Sequence, residues 1–172
     1  MKTLFKLLFC VTLLITISSC ENQVSENHLA LENVAAQVEA NIKLYENVWD
    51  KAINDGQIEL VNEDSFTTDA TVVIPGENIV GIENFRAYYN NYIVGFSERE
   101  FTIVKVFGQN DNLVKQWRFK GKHTGDFFGI PATDKSVDLS GVTIVEMRDG
   151  KIASEQDFFD NLDFLKQLGL ME

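Results

Sequence analysis

From residue 98 onward the chain is a succession of strand-forming runs, and this block constrains the fold more than any other feature. Residues 101–107, 112–124, 136–148 and 151–159 are rich in β-branched and aromatic side chains. Gln109-Asn110-Asp111 and Asp149-Gly150 separate neighbouring runs, and Asp-Gly between two such runs is a strong hairpin signal. Ahead of the block the periodicity is helical. Leu31, Val34, Ala35, Val38, Ile42, Tyr45, Trp49, Ala52 and Ile53 recur at three- and four-residue steps over 29–54, and Asp55-Gly56 ends the run. Residues 57–69 read as a short helix and loop, and 70–74 as a strand stopped by Pro75-Gly76. A second aromatic-rich helix is predicted over 81–96 and a short one over 161–168, closed by Gly169. Helices first and strands afterwards predict an α+β domain with helices on one face of an antiparallel sheet.

The first nineteen residues stand apart. Lys2 and Lys6 precede an uncharged run from Leu7 to Ile17, and small residues lead to Cys20. The run is shorter than the roughly 20 apolar residues a membrane-spanning helix needs, so it reads as a cleaved signal. Ile17-Ser18-Ser19-Cys20 resembles the lipobox of bacterial lipoproteins. The expectation is a signal over 1–19, a lipidated Cys20 with a polar tether over 20–28, and a domain over 29–172. The protein would then be lipid-anchored in a bacterial cell envelope, at the periplasmic or outer-membrane face. Cys10 would leave with the signal and Cys20 would carry lipid, so no thiol remains for nucleophilic catalysis. Loss of two lysines takes the formal charge of −11 to −13. Such an acidic surface argues against a nucleic-acid partner, which would need clustered Lys and Arg.

Strand alternation assigns side chains to faces. His123 shares parity with Leu113, Trp117 and Phe119, the apolar side of its strand. In the last strand Ile152, Gln156 and Phe158 share parity with Asp160, which places Glu155 and Asp157 toward water. Asp160 then has two readings. It caps the helix that begins at Asn161, or it is an acid/base whose carboxyl pKa is raised in an apolar cavity.

The segments Gly121-Lys122-His123-Thr124-Gly125, Phe128-Gly129-Ile130-Pro131-Ala132-Thr133, Asp149-Gly150-Lys151-Ile152 and Asp160 with Gln167-Leu168-Gly169 occur in an order that resembles the SnoaL-like polyketide cyclase (ester cyclase) family of the nuclear transport factor 2-like superfamily. The resemblance implies a cone-shaped α+β barrel: a curved antiparallel sheet wrapped around a long N-terminal helix, enclosing an apolar pocket. It also implies homodimers, a hydrophobic small-molecule partner, and no metal or organic cofactor. The family's aldol ring closure relies on an aspartate near the C-terminal end, which Asp160 matches; His123 matches the motif histidine. Tyr45, Trp49, Trp117, Gln156 and Phe158 are the expected substrate-binding residues, with His123, Gln156, Tyr45 or Trp49 as donors to an enolate oxygen. Pro131-Ala132-Thr133-Asp134 departs from the family's Pro-Pro-Thr-Gly. Three functions remain open: a cyclase or isomerase acting by proton transfer, a non-catalytic ligand pocket, and a dimeric interaction module.

Overall fold

The computed structural model of the protein describes the backbone of residues 2–172 and the side chains of residues 26–172. The side chains of the expected signal over 1–19 and of the expected lipidation site Cys20 lie outside the described residues. Helix α1 (Lys2–Asn54) contributes to two compact units, Met1–Gln37 and Val38–Glu172. In the first unit every described side chain is exposed, including Leu31 and Val34 of the predicted apolar stripe.

The second unit carries the sheet. A 3-10 turn (Ile58–Leu60) leads to β1 (Phe66–Val72) and the short β2 (Ile79–Val80). Then come α2 (Ile82–Gly95), β3 (Phe96–Gln109), β4 (Asn112–His123), β5 (Ser136–Arg148), β6 (Lys151–Phe159) and α3 (Asn161–Gln167). The strand order is β2-β1-β6-β5-β4-β3, and the sheet does not close on itself. The four long strands, α2 and α3 stand where the sequence pattern puts them; α1 covers the predicted 29–54 but is continuous from Lys2, through the expected tether. One expectation needs correction: the sheet is mixed, because β1 runs parallel to β6. The strand predicted over 70–74 begins earlier, at Phe66. A strand that reaches its neighbour through a long crossover is free to pair parallel, and here α2 to β5 lie between them.

Four irregularities bend this sheet, one of them in β1, which gains residues against β6 between Phe66 and Thr71. β3 gains residues against β4 between Ser97 and Glu100 and again between Ile103 and Lys105. β6 gains one against β5, because Met147 pairs with Ile152 while Glu146 pairs with Ser154. Each such bulge adds local twist. The concave face closes over α1 and α2 through an aromatic cluster in which Trp49 lies 4.5 Å from Tyr89 and 6.1 Å from Phe66, ring centre to ring centre. Each fully buried large side chain of this kind contributes about 1.5–3 kcal/mol.

Polar ties hold the helix ends. Asn54 Nδ2 donates to the Phe101 carbonyl at 2.9 Å while its Oδ1 accepts the Phe101 N–H at 2.7 Å, which docks the end of α1 on β3. The Arg99 guanidinium donates to the carbonyls of Ile53, Ile93 and Phe96, so one cation serves the C-terminal ends of two helices. The segment after β4 packs close to α2: a Cβ at Gly125 would lie 2.2 Å from the Val94 carbonyl oxygen.

Candidate functional site

Between α1, α2 and the concave face of β3–β6 runs a narrow apolar cavity. Trp49, Ile53, Tyr89, Tyr92, Phe101, Lys115, Trp117, Phe119, Leu139, Asp157 and Phe159 line it. The cavity volume is about 50 Å3. That is room for a few waters. The predicted Trp49 and Trp117 stand on this wall. Tyr45 lies just behind it, fully buried, its hydroxyl raised well above the usual phenol range by desolvation and by the Glu155 charge.

Two carboxyls organise the polar end of the cavity. Glu155 is fully buried, and loss of solvent pushes its carboxyl up to about 7, against the opposing pull of Lys115. Trp49 Nε1 donates to Glu155 Oε1 at 2.6 Å. The Tyr89 hydroxyl lies 3.2 Å from Glu155 Oε2 and 2.9 Å from Asp157 Oδ2, so it joins the two acids. Asp157 Oδ1 accepts from the Thr143 hydroxyl, which itself accepts from Trp117 Nε1 at 3.0 Å. When Glu155 carries a proton on Oε2, it donates to Tyr89 and Tyr89 donates to Asp157. The arrangement is a short proton chain that ends on the one carboxylate lining the cavity.

The structure places three of the expected site residues away from this chain. Asp160 is exposed, and its Oδ1 accepts the Asp163 N–H at 2.9 Å as the N-cap of α3. Phe158 is 48% exposed, and Gln156 does not line the cavity. All three shift for one reason. The bulge at Ala153 inserts a residue, so Ile152 and Ala153 are both buried and the alternation reverses. Glu155, Asp157 and Phe159 then point inward and Gln156 and Phe158 outward. No residue type in Lys151-Ile152-Ala153-Ser154 signals a bulge. Lys115 was legible, since it shares parity with Trp117 and Phe119, as was Thr143, which shares parity with Leu139 and Val145.

His123 is fully buried, as its parity predicts, but it does not reach the cavity. Its Nδ1 accepts the Thr133 N–H at 3.3 Å and sits 3.0 Å from Thr133 Oγ1. Its backbone pairs with Lys135 and Asp134. The ring packs 5.2 Å from Phe96 and 6.2 Å from Phe127. The His-to-Thr segment is therefore a clamped loop beside the aromatic core, with His123 Nε2 buried and without a hydrogen-bond partner among the described residues. Among the described residues no group of three or more His, Cys, Asp or Glu side chains is gathered to hold a metal ion.

Comparison with known proteins agrees with this architecture. A family model described as SnoaL-like polyketide cyclase matches residues 39–168. No curated protein matches significantly. Among solved structures, a protein described as a SnoaL-like polyketide cyclase from Jannaschia sp. CCS1 is 23% identical, with a TM-score of 0.71 over 78% of this chain and 95% of that one. TsrD from Streptomyces laurentii is 23% identical, with a TM-score of 0.66 over 79% and 97%. IdmH from Streptomyces antibioticus, described as a polyketide cyclase, is 21% identical, with a TM-score of 0.61 over 75% and 98%. At these identities the likeness establishes the fold.

Proposed function

The chain belongs to the SnoaL-like polyketide cyclase family, and on that premise we propose that it catalyses proton transfer on a small apolar carbonyl compound, in an aldol-type cyclisation or an isomerisation. The observation that carries this reading is the Asp157–Tyr89–Glu155 chain opening onto an apolar cavity. Asp157 takes a proton from the carbon next to the carbonyl. Tyr89 keeps the Asp157 oxygen oriented and links it to Glu155, whose carboxyl titrates near the working pH. The aromatic walls exclude water and hold the substrate in a reactive pose. The test is exchange of the α-protons of phenylacetone in D2O, followed by NMR. The protein is expected to accelerate exchange above the buffer rate; no acceleration between about pH 6 and 8 overturns the reading.

A second reading, a ligand pocket without turnover, is favoured by the small volume of the cavity and its mostly apolar lining. Two further elements belong to the proposal. Cys20 carries lipid and anchors the domain in a bacterial envelope, on the strength of the Ile17-Ser18-Ser19-Cys20 motif; labelled palmitate that enters the wild type and not Cys20→Ala supports this. The domain pairs with a second copy through the outer sheet face, where Phe107, Val142, Ile144 and Phe158 are exposed.

A further inference from the structure

Lys115 is the one charged side chain of β4 that faces inward. Its neighbours of opposite parity, Gln116 and Arg118, are exposed, while Lys115 is 4% exposed and lines the cavity. Its Nζ sits 5.1 Å from the centre of the Tyr45 ring, 5.2 Å from that of Trp49 and 5.2 Å from that of Phe101. Ring faces partly replace the hydration that a buried ammonium loses. They do not accept its hydrogen bonds. Among the described residues no hydrogen bond to this ammonium is found and no ion pair within 4.0 Å forms on it; Glu155 attracts it through space but does not hydrogen-bond it. The carboxylates at hand are already engaged: Glu155 by Trp49 and Tyr89, Asp157 by Thr143 and Tyr89. A largely desolvated ammonium whose N–H groups meet no protein acceptor is costly to fold around, so its retention on the cavity wall points to an acceptor that arrives from outside.

We infer that the cavity takes its ligand with an anionic oxygen, a carboxylate, phenolate or enolate, seated on Lys115 Nζ, and with the apolar body of the ligand against Trp117, Phe119 and Phe159. The inference rests on the reading of this cavity as the substrate site, and it adds the substrate's charge class. It also assigns the enolate partner that proton abstraction requires: Lys115 stabilises the oxygen on which charge develops while Asp157 holds the proton. Donor and base stand on β4 and β6, on one wall of the cavity.

The test compares benzoate with benzamide, two probes of one shape that differ in charge, by NMR titration of the protein. Benzoate is expected to bind roughly tenfold or more tightly than benzamide, the size of a hydrogen bond to a charged group. It is also expected to move the Lys115 Cε resonance, which benzamide leaves in place; this readout needs no variant. In Lys115→Met the two probes are expected to bind alike, while in Lys115→Arg the preference for benzoate is retained. Equal binding of the two probes to the wild type, binding of neither, or a preference that survives Lys115→Met overturns the inference. The phenylacetone assay uses a neutral ketone and is read separately, so loss of the anion preference with exchange intact removes this inference and leaves the proton-transfer reading standing.

Discussion

Glu155 concentrates the electrostatic cost of the site. Its carboxyl ordinarily titrates at 4.5 and is pushed to about 7 by burial. The folded state therefore binds this proton more tightly than the unfolded chain does. The stability it confers is complete below about pH 4.5, declines as the pH rises toward 7, and is gone above that. The size of the effect is up to about 3 kcal/mol. Glu155→Gln keeps the shape and removes the titration. Its unfolding free energy, measured in urea at a series of pH values, is expected to lack the decline that the wild type shows between about pH 4.5 and 7. An equal slope in both proteins would show that other groups set the pH dependence. His123 is placed differently: its ring is buried away from the cavity, and its Nδ1 accepts from Thr133.

At the scale of elements, β5 and β6 set the wall of the cavity. Gly141 lies against Trp117: a Cβ there would stand 2.3 Å from Trp117 Cζ2 and 2.7 Å from the Phe158 carbonyl oxygen. Gly141→Ala must therefore displace the indole that donates to Thr143, and is expected to cost about 1–3 kcal/mol in urea denaturation. An unchanged midpoint would mean that the wall yields without cost. The long strands, the hairpin at Asp149-Gly150 and the helices were legible because period and turn chemistry are local properties. The parallel pairing of β1 with β6 was not, since it depends on where a crossover lands. The site was half legible. Trp49 and Trp117 followed from helical spacing and from β4 alternation, which no bulge in the β4–β5 pairing interrupts. The acids did not, because one inserted residue at Ala153 exchanged the two faces of β6 and left Asp160 capping α3.

For the whole molecule the outer face of the sheet and the inner cavity make separate predictions. Outside, Phe107, Val142, Ile144 and Phe158 form a band of exposed apolar side chains, and Ile144→Glu places a charge in its middle. Size-exclusion chromatography with light scattering is expected to show a dimer for the wild type and a monomer for Ile144→Glu; a monomeric wild type rules out pairing. Inside, the account stands on which aspartate moves the proton. The direct measurement is phenylacetone α-proton exchange with Asp157→Asn and Asp160→Asn side by side. Asp157→Asn is expected to lose about 10²–10⁴-fold of the catalysed rate, the usual contribution of a general base, while Asp160→Asn exchanges at the wild-type rate and keeps its helix cap, because an asparagine Oδ1 accepts the Asp163 N–H as the carboxylate does. Full exchange by Asp157→Asn, with exchange abolished in a folded Asp160→Asn, would contradict it.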